Sequence, residues 1–388
     1  MDKTIFYYKG NSTHLVWDLE YLYGDKINHS PLSNFDPDYT NIFFVTGYSR
    51  NIDDYLYSDE FIGDAAKIIH NKGTVLIDYC MESDTAIRPC MVYLLERIKE
   101  SNLPLDRFIL VYNNSFNLGI KEVKIREFKL KTLHFPHFMV DTHKHVYSYY
   151  RPDFNYYDSS IATKDFLMLN RRVGPDKMLV IDELVNRGWR ERTNMTFVDM
   201  RKNLAGMINQ HPSWSKTLSK LGLTNPITKS LQLEEDVEYG TDLAWSDENL
   251  FNVNPEWYFK SKVNIVVETW YKETIDGWDY FDSMIHHTEK TWKAIALGCP
   301  FVVSGTKGHM NRLRDFGMTV DTSYDYLSNH ERYNAVLDRA EDYLSKYDLE
   351  STKKIALDNQ KVYFDLDNHR KYVKSYFLDH IIQKQSLI

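Results

Sequence analysis

Cysteine is scarce in this chain of 388 residues. Its three copies, Cys80, Cys90 and Cys299, have no zinc-ligand spacing and form no even disulfide framework, which points to a reducing compartment. Long apolar runs are missing: none approaches the length that spans a bilayer, so no membrane is expected as a partner. The opening stretch "MDKTIFYYKGNSTHL" carries no signal-peptide pattern, and the expected location is cytoplasmic. There is no basic excess either. The net charge of −8 and pI of about 6.0 weigh against a protein that lives on a nucleic acid backbone. Walker P-loop, GxSxG, HExxH and kinase signatures are absent, and no GxGxxG follows the first strand, which lowers a dehydrogenase reading.

What remains is a folded chain of two-domain length, with 43% hydrophobic residues and only 11 prolines. The first half alternates apolar strand-like runs with amphipathic segments. Strand candidates are Thr4–Tyr8, Asn41–Gly47, Thr74–Cys80 and Arg107–Asn114, and the helical patterns between them include His14–Tyr23 and Glu60–Gly73. The run "KEVKIREFKLK" (121–131) reads as one strand with a charged face. Tyr147–Asp165 breaks the alternation, which restarts at Phe166–Asn170 with a helix at Asp176–Gly188. Val263–Thr269 is a buried-type strand, and 288–305 supplies a further helix and strand. "MTVD" (318–321) reads as one more strand, and the chain from about Tyr333 onward as charged amphipathic helix. The fold class expected is α/β with two Rossmann-like domains: 1–155, then 165–365, with 366–388 returning as a helix onto the first domain.

Ligands of open α/β sheets sit beyond the carboxyl ends of the strands. Polar residues recur there: Asn170-Arg171-Arg172 ends one strand, Glu268 another, and Thr288-Glu289-Lys290 opens a helix. Thr288 suits the N-cap and Glu289 the first turn, whereas Lys290 opposes the helix dipole. A solvated Glu-Lys pair is the plain explanation. A lysine joined to a helix N-terminus is also a seat for phosphate, and cations with a ribose-binding carboxylate describe a nucleotide-diphosphate site.

Three stretches in order, "FLMLNRRVGPDKMLVIDELVNRG", "FKSKVNIVVETW" and "TEKTWKAIALGCPFVVSG", resemble the donor-binding half of fucosyltransferase-like glycosyltransferases, a group with open reading frames in bacteriophages and large viruses. The resemblance spans roughly residues 165–320. It implies the GT-B architecture, two Rossmann-like domains facing a central cleft, with the acceptor domain first and the nucleotide-sugar donor domain second. It also implies a hexosyl- or pentosyltransferase with the nucleotide-diphosphate sugar as co-substrate, no separate cofactor and no metal. Carried over by position, Glu289 holds the ribose, and Lys290 with Arg171 or Arg172 holds the phosphates. Glu268 falls on the glutamate of the strand-end motif. Thr269 stands where that motif has asparagine, so the sugar is left open.

An inverting transferase needs a base for the acceptor hydroxyl. "LIDYCMESD" offers Asp78 and Glu82 after a first-half strand, with Glu82 preferred; His14 and Asp18 follow the first strand. The plain explanation of either acid is a loop cap or a solvated carboxylate. Asp36-Pro37-Asp38, Asp365-Leu366-Asp367 and the acids at 276, 279 and 282 match metal-binding patterns, but a diphosphate neutralised by cations and a helix dipole requires no metal. The acceptor expected is a glycan or a hydroxymethylated pyrimidine in DNA. For DNA speak the basic run 121–131 and "HKHVYSYYR" (143–151). The alternative is a non-catalytic nucleotide-sugar-binding protein that kept the fold.

Overall fold

The computed structural model describes residues 4–9, 14–46, 53–79, 88–112, 121–125, 127–149, 161–172, 175–199, 216, 255–268, 285, 287–345 and 349–381. It divides into two compact units, Met1–Lys144 together with Leu366–Ile388, and His145–Asp365. Each is a Rossmann-like α/β unit built on its own sheet, wholly parallel in the second and parallel but for one edge strand in the first.

The first unit holds β1 (Thr4–Tyr8), β2 (Asn28–Pro31), β3 (Thr40–Thr46), β4 (Thr74–Tyr79), β5 (Phe108–Tyr112), β6 (Lys121–Ile125) and β7 (Phe128–His134), in the spatial order β2-β1-β3-β4-β5-β7-β6. Its described helices are α1 (His14–Tyr23), the short α2 (Asp53–Leu56), α3 (Asp59–His70), α4 (Arg88–Glu100) and α5 (His137–Tyr149), the last crossing into the second unit after Lys144. The central strands are continuous apolar runs because both faces are covered: Ile42, Phe43, Phe44, Val75, Leu76, Ile77, Ile109 and Leu110 are wholly buried. The edges are polar. At one end lies β2, "NHSP"; at the other, the basic run is a hairpin instead of a single strand, with Ile125 paired to Phe128 and β6 antiparallel to β7.

The second unit holds β8 (Lys164–Arg172), β9 (Thr193–Asp199), β10 (Ser261–Val267) and β11 (Phe301–Ser304), all parallel, in the order β11-β10-β8-β9. Its described helices are α6 (Pro175–Asn186), α7 (Pro255–Phe259), α8 (Glu289–Ala296), α9 (His309–Asp315), α10 (Asn329–Ser345) and α11 (Leu349–Phe364). From β8 the chain steps to β9 on one side, then resumes on the other with β10 and β11. Right-handed crossovers therefore put α6 and α8 on opposite faces. Packing agrees: α6 meets α10, which lies on β10 and β11, while α8 meets α11. The Trp292 ring of α8 stacks on Tyr363 of α11 at 5.6 Å, and Gln360 Nε2 donates to the Ala296 carbonyl near the end of α8. Gly298 then turns the chain at φ +63°.

The strand expected at 318–321 does not form. The Asn359 side chain accepts the Thr319 N–H at 2.8 Å and donates to the Thr319 carbonyl at 2.9 Å, using the groups that a ladder would need.

The chain ends back on the first unit through α12 (Leu366–Val373) and a π-helical turn to Leu378. Arg370 Nε donates to the Leu22 carbonyl at 2.5 Å, Tyr23 Oη donates to the Arg370 carbonyl at 2.6 Å, and Phe377 meets Phe135 edge-on at 5.0 Å. Phe377→Ala should cost about 3–5 kcal/mol, the range for a fully buried phenylalanine. Urea unfolding measures the loss, and hydrogen exchange should rise first in 366–381 and α1.

Candidate functional site

Between β8 and β10 the winding reverses, which opens a crevice beyond their carboxyl ends. The last residues of β8 are Asn170, Arg171 and Arg172, and Glu268 follows β10 directly. The Arg171 and Arg172 side chains lie outside the described set.

Glu268 is 2% exposed. Its carboxylate accepts from the Thr288 backbone N–H (3.0 Å), the Thr288 hydroxyl (2.5 Å) and the Thr291 hydroxyl (2.6 Å). Thr288 is the N-cap of α8, and its oxygen accepts from the Lys290 N–H at 3.3 Å and the Lys290 ammonium at 2.9 Å. One donor and two lone pairs are thereby used, so the hydroxyl is full. Lys290 Nζ stands 3.6 Å from Glu289 and 3.7 Å from Glu268. Burial works to lower the lysine pKa, but Glu289 and then Glu268 outweigh it and hold the ammonium above its ordinary value. Two carboxylates thus face one cation at the start of α8. An incoming anion has to compete with them for Lys290.

Beside this network, Asn170 is wholly buried and held by its backbone. Thr196 Oγ1 accepts the Asn170 N–H at 3.1 Å and donates to the Asn170 carbonyl at 3.3 Å. Neither atom of the Asn170 amide, nor the buried Ser304 hydroxyl at the end of β11, has a hydrogen-bond partner among the described residues. An unpaired buried polar group costs about 1–3 kcal/mol, and such costs concentrate at functional sites. Just past β11, Gly305 admits the His309 ring: a Cβ there would meet Nδ1 at 2.6 Å.

No family model and no curated protein matches this chain. Two solved structures resemble it weakly. One is alpha,alpha-trehalose 6-phosphate synthase from Burkholderia multivorans, with 12% identity and a TM-score of 0.39 over 92% of this chain and 74% of that one. The other is a glycosyltransferase from Rickettsia africae, with 12% identity and a TM-score of 0.36 over 96% and 97%. Likenesses this distant decide nothing about activity.

In the first unit Asp78, near the end of β4, is buried and accepts the Leu15 N–H at 3.3 Å, so it anchors the first turn of α1. His14 is the first residue of that helix, with its side chain outside the described set; Glu82 falls in 80–87, also outside it. Asp18 faces inward, 2.6 Å from His137 Nδ1, with the His137 side chain 0% and the Asp18 side chain 1% exposed. Burial lowers the His137 pKa, yet Asp18 first, then Asp141 and Asp78, raise it to about 9. Burial pushes Asp18 up to about 6 against the pull of His137. His137 escaped the sequence reading, although its place just past the end of β7 was a signal.

No three His, Cys, Asp or Glu side chains gather to hold a metal ion among the described residues. Asp36 accepts the Asp38 N–H in a local turn, Asp367 pairs with Arg370 at 2.8 Å, and the acids at 276–282 lie outside the described residues. No helix among the described residues is long and apolar enough to cross a membrane.

Glu268→Gln puts a donor against threonine donors and removes the charge. It should cost about 2–3 kcal/mol, as for charged hydrogen bonds, with faster amide exchange at 288–292. His137 carries a folded pKa above its ordinary value of about 6.5, so its stabilisation is complete below that pH and is lost as pH rises through about 9. Melts across pH 7–10 should show this slope in the wild type, and the step near pH 9 should be absent from His137→Gln. That variant should lose about 3–5 kcal/mol at pH 7, and adding Asp18→Asn should restore part of it.

Proposed function

We propose that this chain is a glycosyltransferase of the GT-B type, moving a sugar from a nucleotide-diphosphate sugar to an acceptor hydroxyl. One observation carries the reading: the reversal of winding between β8 and β10 gathers Asn170, Arg171, Arg172 and Glu268 at one sheet edge, and Glu268 pins the N-terminus of α8 to it. In this reading Lys290 with Arg171 or Arg172 holds the diphosphate, Glu289 accepts from the ribose hydroxyls, and Glu268 with Thr288 fixes the helix that presents them. An arginine at the strand end supplies the cation that Lys290, shared with two carboxylates, does not supply alone. A leaving group neutralised in this way needs no metal.

The acceptor belongs to the first unit. Asp78 is engaged at the start of α1, which leaves Glu82 and His14 as the proposed bases. The acceptor class is a glycan or a hydroxymethylated pyrimidine in DNA, and the setting is the cytoplasm, of a host if the chain is viral. A non-catalytic sugar-nucleotide binder remains the second reading, since Lys290 is already balanced by two carboxylates.

A thermal-shift panel of UDP-, GDP-, ADP- and CMP-sugars should give one stabilising donor. Lys290→Ala should weaken that donor by at least about tenfold in calorimetry. Slow hydrolysis of the donor without acceptor supports the transferase, and binding with no turnover supports the binder. Unchanged affinity in Lys290→Ala puts the site elsewhere.

A further inference from the structure

The carboxyl edge of the second sheet has two chemically different faces. Ser304 is in register with Val267, and the register of Asn264 with Leu167, carried three residues on, sets Val267 beside Asn170. Residues in register on parallel strands share a face, and the next residue along the strand points the other way. Glu268, next after Val267, therefore lies on the α8 side with Glu289 and Lys290, where its bonds to Thr288 and Thr291 confirm it. Asn170 and Ser304 lie on the opposite side, flanking Val267.

Both are 0% exposed and have no side-chain partner among the described residues. Thr196 clamps the Asn170 backbone at both its N–H and its carbonyl and leaves the amide uncommitted. Two strand spacings separate the pair, about 9.5 Å, roughly one hydroxylated ring with a hydrogen bond on either side. Neither side chain carries charge, so neither can neutralise phosphate. Between them they offer three donor hydrogens and several lone pairs, which suits an uncharged group of mixed donors and acceptors.

We propose that Asn170 and Ser304 form a neutral subsite for the uncharged ring of the ligand, while the diphosphate lies across the sheet edge on the α8 side. The inference rests on the nucleotide-sugar reading above. The ring is either the transferred sugar or the nucleobase, both uncharged and both carrying donors and acceptors. Both side chains are covered, so the ring reaches them only when the covering groups move aside.

The test uses the full chain with Ser304→Ala and Asn170→Leu, which remove the polar atoms at little cost in volume. Melting temperatures are taken without ligand, and affinities by calorimetry for UDP, GDP, ADP and CMP and for the matching nucleotide sugars. The expected result is a melting temperature unchanged or raised, with affinity for the binding ligand reduced about tenfold. A reduction seen with nucleotide sugars alone assigns the ring to the sugar; one seen also with the bare nucleotide assigns it to the base. A fall in melting temperature of more than about 4 °C overturns the subsite whether or not affinity falls, because the side chains are then satisfied inside the protein. Wild-type binding that both variants match overturns the subsite alone. If the wild type binds none of the eight ligands, the nucleotide-sugar reading falls and the subsite with it.

Discussion

The handedness of strand-helix-strand crossovers governs where chemistry can sit in both units. A chain that adds strands to both sides of its first strand must place helices on both faces, and where the direction changes no helix bridges the two strand ends. In the second unit that gap lies between β8 and β10 and brings Asn170 to Arg172 beside Glu268, residues far apart in sequence. In the first unit it lies between β1 and β3, so the helix leaving β1 begins there, with His14 as its first residue. Asp78 ends a strand one position further along, and its carboxylate is already bound to α1.

The two units use the same electrostatic device. A buried carboxylate at a strand end receives a backbone N–H from the start of a helix: Glu268 from Thr288, and Asp78 from Leu15. Helix starts have unpaired N–H groups and partial positive charge, so a desolvated carboxylate there recovers much of what it lost on leaving water. What surrounds each carboxylate then differs. Glu268 has two threonine hydroxyls and a lysine, whereas the acids of the first unit gather round His137, the imidazole paired with Asp18.

Local signals carried most of the architecture. The apolar run of β10, the Thr288 cap and the Gly298 stop are written within a few residues each, and all three stand as read. The errors arose where a distant group decided the outcome. "MTVD" has strand composition, but the Asn359 side chain takes the Thr319 backbone. The charged alternation from Lys121 to Lys131 runs through a chain reversal without a glycine or proline to mark it. In the sequence Lys290 has Glu289 alone as a visible partner, because Glu268 is adjacent in space and remote along the chain. Thr196, Thr291 and His137 gain their roles only from partners on other elements, and no periodicity announces such pairings.

Under the nucleotide-sugar reading, the arrangement at α8 also explains why a lysine can sit where the helix dipole opposes it. Held by Thr288 and two carboxylates, the ammonium is stabilised without ligand. A diphosphate that draws it away leaves Glu268 still bonded to one N–H and two hydroxyls, so the start of α8 keeps its place. Glu289 loses this one contact in the same movement, and the lone pairs that the ammonium faced can turn to hydroxyl donors. Release of the lysine to phosphate and of the carboxylate to ribose would then be a single event, favouring a ligand that carries both groups over free pyrophosphate or a free nucleoside. Coupling of this kind requires that the helix be anchored by something other than the lysine, and that is what the buried carboxylate of Glu268 supplies.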